Sequence, residues 1–204
     1  MRKSIVFILI IVGIILGFGV FNSLVKSGNV DPATPANLNS PAGLTQQFKP
    51  VSAAQVAIPS SFSIPKLGVS NVEVESVGLD KESKMDIPKD ENNVAWYNLG
   101  AKPGERGNAV IAGHFDNKDG SPSVFYDINK LKPGDELKVK DKDGKEYVYA
   151  VTEVVSYELA EFPLVEVFGA GDKPMLNLIT CEGNFDKTSK LYSHRLVVYS
   201  ELKS

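Results

Sequence analysis

Cys181 is the residue of this chain best suited to covalent chemistry. It is the single cysteine among 204 residues, so no disulfide can form within the chain. A free thiol is mostly protonated at neutral pH. As a nucleophile it needs a base to take its proton and a donor to hold the charge that develops on the attacked carbonyl oxygen. A lone thiol is equally consistent with an inert, buried side chain.

His114 and Cys181 each follow a short apolar run that predicts a buried strand. The run before Cys181 is Leu176–Thr180, and the run before His114 is Ala109–Ala112, with Gly113 between. A side chain at a strand end combines a rigid base with open access, which suits a nucleophile and its proton partner. Each also has a structural alternative, namely a cysteine packed in the core and a histidine bonded to a neighbouring loop.

Of the three arginines in the chain, Arg195 is the candidate for stabilising the oxyanion. Arg2 belongs to the N-terminus, Arg106 lies in a Pro-Gly-Glu-Arg-Gly turn, and Arg195 heads an apolar strand. An arginine at a strand end is commonly a surface residue, and this alternative stays open. The second histidine, His194, precedes Arg195 directly. Neighbours on a strand face opposite ways, so if Arg195 faces the thiol, His194 does not.

The first 25 residues predict an uncleaved membrane anchor. Residues 5–21 are apolar or glycine, and a helix over residues 5–25 would be about 31 Å long, close to the roughly 30 Å of a bilayer core. No Ala-x-Ala cleavage site follows, which argues against a removed signal peptide. Arg2 and Lys3 precede the run, so the positive-inside rule predicts that residues 1–4 are cytoplasmic and the rest of the chain extracellular.

Composition is that of a folded protein, with 43% hydrophobic and 23% charged residues. All 25 acidic residues and 19 of the 22 basic residues follow Lys26, so the exported part has a formal charge of −6. A nucleic-acid-binding face needs clustered lysine and arginine, and this charge argues against one.

Residues 26–55 predict a flexible linker rich in proline, alanine, serine and asparagine, and residues 56–204 the folded catalytic domain. Short strand-like runs separated by turns predict a single closed β-barrel or sandwich, with one helical turn near residues 124–131. A hairpin is predicted at residues 141–144. The predicted strands are Ser61–Ile64, Val72–Val77, Ala109–Ala112, Glu136–Lys140, Glu146–Ser156, Met175–Thr180 and Arg195–Ser200.

These residues carry a resemblance to the sortases. Ala-Gly-His ends one strand, Thr-Cys ends a later one, and an arginine follows, in the order that the family shows. The similarity extends over about residues 62–202. Within it, Gly113-His114-Phe115-Asp116, Val124-Phe125-Tyr126 and Cys181-x-Gly-x-Phe-Asp are most similar to class F sortases.

The resemblance implies a closed eight-stranded barrel and a cysteine transpeptidase, or hydrolase. It implies that Cys181 attacks the Thr–Gly carbonyl of an LPXTG-like sorting signal and that His114 pairs with the thiol and protonates the leaving amine. Arg195 and a backbone N–H, such as that of Glu182, would stabilise the oxyanion. An amine of a cell-wall precursor or a pilin would then resolve the thioacyl enzyme.

Weaker expectations concern substrate and metal. Ala112, Thr180 and Glu182 are candidate substrate contacts, and the loop over residues 159–174 either lines a groove for the Leu-Pro of the signal or covers a barrel end. Asp116 and Asp119, with Glu182, could shape the site or bind Ca²⁺. No EF-hand-like spacing occurs, so no cofactor or required metal is predicted.

Three other classes compete with a sortase. An L,D-transpeptidase would carry Ser-His-Gly-Cys-x-Arg, but Ser193-His194-Arg195 has no cysteine within it. A papain-like protease would place its cysteine before its histidine, the reverse of the order here. A non-enzymatic anchored β-domain that binds a partner stays open, and it predicts a buried, unreactive Cys181.

Overall fold

Eight strands close into a barrel within residues 55–204, the part of the chain that the computed structural model describes. Their order around the barrel is β1-β2-β3-β4-β7-β8-β6-β5. The bounds are β1 Pro59–Ile64, β2 Val69–Val77, β3 Val94–Tyr97, β4 Gly107–Gly113, β5 Glu136–Asp141, β6 Glu146–Glu158, β7 Pro174–Asp186 and β8 Leu191–Leu202. The predicted closed eight-stranded barrel is confirmed, and the sandwich is excluded.

The predicted membrane anchor at residues 5–25 lies outside the described residues, as does the predicted linker up to residue 54. Within residues 55–204, no helix has the length and apolar character to cross a bilayer.

The strands follow from alternation of apolar and polar residues. In β5, Leu137 and Val139 are buried while Lys138 and Lys140 are not, which is the period of two that a half-buried strand requires. The hairpin between β5 and β6 has Gly144 at a φ of 84°, a conformation that glycine adopts without steric cost. The predicted hairpin at residues 141–144 is therefore confirmed.

The barrel interior is filled by large apolar side chains. The rings of Phe62 and Phe125 meet edge to face with centroids 5.8 Å apart. Tyr149 is fully buried, and its hydroxyl accepts a hydrogen bond from the backbone N–H of Gly104 at 2.7 Å, which satisfies the polar end of the ring. The other large, fully buried residues of the interior are Ile64, Ile111, Ile128, Leu137, Leu176, Leu178, Val94 and Val139.

A second apolar cluster lies on the outer face of β4, β7 and β8. It contains Val110, Ile179 and Val197, one from each strand, and Val167 of the short helix α1 (Leu164–Phe168) packs against them. The side chain of Asn177 donates to the carbonyl oxygen of Val167 at 2.8 Å and fastens α1 to β7. The loop over residues 159–174 thus covers this outer face.

Three local features differ from the sequence prediction. β3 was not predicted, because a four-residue Val-Ala-Trp-Tyr run shows no period; it is held by parallel pairing with β2 and antiparallel pairing with β4. α1 lies in a segment predicted as loop. β7 continues past Cys181 to Asp186 through an irregular pairing with β8, where the sequence predicted a loop.

Candidate active site

Cys181 and Arg195 lie directly opposite each other on two neighbouring strands. They are paired residues in the antiparallel ladder of β7 and β8. Opposite residues of such a pair project from the same face, with Cβ atoms about 4.5–5.5 Å apart. Ile179 and Val197 belong to the outer apolar cluster, so Cys181 and Arg195, two residues away along their strands, also project from the outer face.

His114 completes a row of three side chains across β4, β7 and β8. β4 and β7 run parallel, and their last pair joins Ala112 to Ile179. Continued two residues past that pair, the register brings His114, which directly follows β4, level with Cys181 within β7, and paired strands lie about 4.8 Å apart. The three residues therefore follow the order of their strands; among the described residues no hydrogen bond joins His114 to Cys181, and the imidazole instead contacts the carbonyl oxygen of Pro88.

The backbone before His114 is packed tightly against the core. A Cβ atom at Gly113 would lie 2.6 Å from the ring of Phe125, so only glycine fits there. On its outer side, the His114 ring lies against the segment before β3, with Nε2 3.5 Å from the carbonyl oxygen of Pro88. The packing of Gly113 fixes the backbone before His114, and the contact with Pro88 is made by the imidazole itself.

The guanidinium of Arg195 is anchored by backbone and stays free of acidic partners. Its Nη1 donates to the carbonyl oxygens of His194 at 2.9 Å and Tyr192 at 3.5 Å. Among residues 55–204, no carboxylate forms an ion pair with Arg195. Guanidinium has five N–H donors, so this geometry leaves donors for an anion developing near Cys181.

Burial raises the pKa of the Cys181 thiol above its ordinary value. The positive charge of Arg195 acts against this rise, and the negative charge of Asp116 adds to it. The raised pKa favours a protonated thiol in the free protein, so activation depends on transfer of the proton to a neighbouring base.

Tyr192 links the loop after β4 to β8 beside the thiol. Its hydroxyl donates a short hydrogen bond to Oδ2 of Asp116, and burial together with this bond raises the pKa of Tyr192 to about 12. Its ring packs edge to face on Phe115, with centroids 5.8 Å apart. Sequence reasoning missed Tyr192, because its partner Asp116 is 76 positions away and no local pattern connects them.

A cleft of about 630 Å³ opens beside His114, beyond the end of β4, and neither Cys181 nor Arg195 lines it. We call it the His114 cleft. It is lined by two loops and by the two aromatic rings of Phe185 and Tyr192. The other lining residues are Asp86, Ile87, Pro88, Lys89, Glu91, His114, Asp116, Asn117, Lys118 and Gly120.

The three candidate substrate contacts occupy different surroundings. Ala112 is partly exposed and precedes His114 on the outer face of β4. Thr180 is 3% exposed, and its hydroxyl donates to the carbonyl oxygen of Gly113 at 2.9 Å, so it ties β7 to β4 and faces away from Cys181. Glu182 is partly exposed and pairs with His194, on the face opposite to the Cys181–Arg195 pair.

The structure tests neither calcium binding nor the expectation that no metal is required. Within residues 55–204, no group of three or more histidine, cysteine, aspartate or glutamate side chains converges as metal ligands would. Asp119 accepts hydrogen bonds from the backbone N–H and hydroxyl of Ser121, at 2.9 and 2.6 Å, and so caps its own turn. The absence of a metal requirement stays a prediction.

Comparisons with known proteins agree with this architecture. The sortase domain family model matches residues 62–203. Sortase A from Corynebacterium diphtheriae superposes with a TM-score of 0.55 at 20% identity, over 74% of this chain and 63% of that one. A sortase D5 transpeptidase from Clostridium perfringens superposes with a TM-score of 0.54 at 24% identity, over 72% of this chain and 79% of that one. Sortase C1 from Streptococcus agalactiae superposes with a TM-score of 0.53 at 19% identity, over 71% of this chain and 67% of that one. No curated protein matches the chain.

The fold and the family model define a barrel of the sortase type. Identities below 25% show the fold alone, whereas the family model covers more than half of the chain. The chain belongs to the sortase family, a family of cysteine transpeptidases.

Proposed function

We propose that this chain is a membrane-anchored sortase that cleaves an LPXTG-like sorting signal between threonine and glycine and transfers the product to an amine. The observation that carries the proposal is the pairing of Cys181 with Arg195, together with the register of β4 and β7, which when continued past Ala112 brings His114 level with Cys181. These residue types supply a proton carrier, a nucleophile and an oxyanion donor.

In the first half-reaction, His114 takes the thiol proton as Cys181 attacks the threonine carbonyl. The carbon–sulfur bond forms, and the negative charge on the carbonyl oxygen is stabilised by Arg195, which carries no competing ion pair among the described residues. The carbon–nitrogen bond then breaks, and His114 gives its proton to the departing glycine amine. The products are a thioester on Cys181 and the released C-terminal fragment.

The second half-reaction reverses this order. An acceptor amine loses a proton to His114 and attacks the thioester carbonyl, the carbon–sulfur bond breaks, and Cys181 leaves as thiolate. The acceptor is an amine of a cell-wall precursor or a pilin. Water in place of the amine gives hydrolysis instead.

Exposed apolar residues of α1 support recognition of an apolar signal. Val110, Ile179 and Val197 lie beneath α1 and its loop and are buried, so they form the support of α1. Leu164 and Val165 of α1 are 65% and 86% exposed, which makes apolar surface available to a leucine–proline segment. In this proposal Ala112 contacts the substrate on the outer face, Glu182, whose side chain lies on the opposite face, contributes its backbone N–H, and the enzyme is of class F.

Anchoring is proposed from sequence. The apolar run at residues 5–25, preceded by Arg2 and Lys3, would hold the protein in the cell membrane with its N-terminus in the cytoplasm, and residues 26–55 would connect it to an extracellular catalytic domain, 56–204. Such a placement brings the thiol to the surface where sorting signals and cell-wall amines meet.

The test uses full-length protein in detergent with a fluorogenic LPXTG-type peptide and glycinamide. Wild type is expected to give the glycinamide adduct and a thioester that mass spectrometry locates on Cys181. Cys181→Ala, as the matched control, should give neither. If wild type forms no thioester with a panel of related motifs and Cys181 resists alkylation in the folded protein, the enzyme proposal fails and a non-enzymatic binding domain replaces it.

A further inference from the structure

The proposed reaction leaves open how the chain recognises the acceptor, and the His114 cleft bears on this question. Along β4 and β7, the apolar cluster precedes the site row, whereas the cleft follows it. His114 therefore stands between the outer apolar cluster, which α1 covers, and a polar cleft. A group that exchanges protons with this histidine without displacing the sorting signal approaches from the cleft.

Of the three carboxylates that line the cleft, Asp86 and Asp116 have no lysine or arginine partner among residues 55–204, and of these two only Asp116 is bound by a side-chain hydroxyl. Glu91 is already bound to Lys118 at 2.8 Å, and one oxygen of Asp86 accepts from the backbone N–H of Ile87 at 2.9 Å. Asp116 accepts the hydroxyl of Tyr192, and no lysine or arginine among residues 55–204 forms an ion pair with it.

The position of Asp116 fits an acceptor amine close to the thioester. It follows His114 by two positions, and its charge acts on the Cys181 thiol, so it lies near both reacting groups. Phe185, 47% exposed, and Tyr192 form an aromatic wall of the cleft, with ring centroids 5.1 Å apart. A carboxylate beside aromatic faces suits a primary ammonium group.

We propose that Asp116 binds the primary ammonium group of the acceptor in the His114 cleft. This inference rests on the proposed transpeptidase function and adds to it the residue that selects an amine over water. Binding as ammonium holds the nitrogen beside His114, which takes one proton. The neutral amine then attacks the thioester, the carbon–nitrogen bond forms, the carbon–sulfur bond breaks, and the second proton of the nitrogen passes to the departing thiolate of Cys181.

The experiment separates the two half-reactions in full-length protein. Thioester formation is measured with the peptide alone, and acceptor use is measured with glycinamide, which is cationic at neutral pH, and with hydroxylamine, which is mostly neutral. For Asp116→Asn we expect an unreduced rate of thioester formation. We expect about a tenfold higher KM for glycinamide, because one charge-assisted hydrogen bond to the ammonium group is lost. The KM for hydroxylamine should stay at the wild-type value.

Two variants serve as controls. Asp119→Asn removes a carboxylate from the same loop that does not line the cleft, and should leave both acceptors unchanged. Tyr192→Phe removes the hydroxyl that holds Asp116 while leaving the carboxylate charge, so its effect on glycinamide should be smaller than that of Asp116→Asn.

The outcomes are distinguishable. A higher KM for glycinamide alone supports the assignment. An equal change with both acceptors, no change with either, or a parallel loss of thioester formation would overturn it, because the effect would then not follow the ammonium charge. A wild-type protein that forms no thioester refutes the proposed function itself, and this inference with it.

Discussion

At the scale of single residues, the raised pKa of Cys181 has a direct consequence for reactivity. Burial is its main cause, the charge of Arg195 opposes it and that of Asp116 adds to it. When the rate of alkylation is measured against pH, its midpoint should therefore lie above pH 8.5, roughly the pKa of a free thiol. Arg195→Ala should move the midpoint higher, because a cation that favours the thiolate is lost, and Asp116→Asn should move it lower.

The control for this pH profile is the unfolded protein in denaturant, whose thiol should titrate near its ordinary value. An alkylation midpoint in the folded protein at or below that of the unfolded one would contradict the prediction.

Arg195 also permits a residue-scale prediction about rate. Because it is the cation paired with Cys181 across β7 and β8, Arg195→Ala should lower kcat about 100- to 1,000-fold, as loss of one oxyanion donor does. The measurement is steady-state cleavage of the LPXTG-type peptide. Arg106→Ala, an exposed arginine in a distant turn, is the matched control and should retain wild-type kcat. Equal losses in both variants would refute the assigned role.

At the scale of elements, the end of β4 depends on one close contact. A methyl group at Gly113 would overlap the ring of Phe125, so Gly113→Ala should lower the free energy of unfolding by about 1–3 kcal/mol, the usual cost of overpacking. Urea denaturation measures this change. Gly78→Ala is the matched control, since its new Cβ would meet one atom at 3.7 Å and its φ is not positive.

The same substitution links stability to the site. Since His114 follows Gly113 directly, displacement of the strand end should lower peptide cleavage in Gly113→Ala even at temperatures where the protein is fully folded. Stability and cleavage both equal to wild type would show that the strand accommodates the methyl group without moving.

At the scale of the whole molecule, the proposed anchor makes a separate prediction. A chain lacking residues 2–25 should move from the membrane fraction to the soluble fraction, because the apolar run that would span the bilayer is lost. This shortened chain should still transfer the peptide to glycinamide in detergent-free buffer, since His114, Cys181 and Arg195 all lie within residues 107–202. Fractionation followed by the peptide assay tests this; a truncated chain still bound to membranes would contradict the anchor.

The fold could be predicted from sequence to a large extent, because strand periodicity and turn chemistry are local. Leu137 and Val139 alternate with lysines, and Gly144 marks the hairpin, so β5 and β6 were predicted within a few residues. β3 and α1 were not predicted, since a four-residue strand and a five-residue helix are stabilised by tertiary pairing and packing rather than by their own pattern.

For the site, the sequence by itself determined which residues are candidates. A single cysteine, two histidines and three arginines leave few combinations, and the apolar runs before Cys181 and His114 predict that each follows a strand. His114 does follow β4, whereas β7 continues past Cys181 to Asp186. These statements depend on residue types and neighbours only. Their chemical roles stay predictions until the assays above are done.

Only the tertiary structure decided how these candidates lie relative to one another. The parallel pairing of β4 with β7 and the register that opposes Cys181 to Arg195 are long-range hydrogen-bonding choices that no local pattern encodes. The same holds for Tyr192 and Asp116, whose contact depends on the placement of β4 and β8 on either side of β7. Strand order and register depend on burial of the whole core at once, which is why they appear only in the folded molecule.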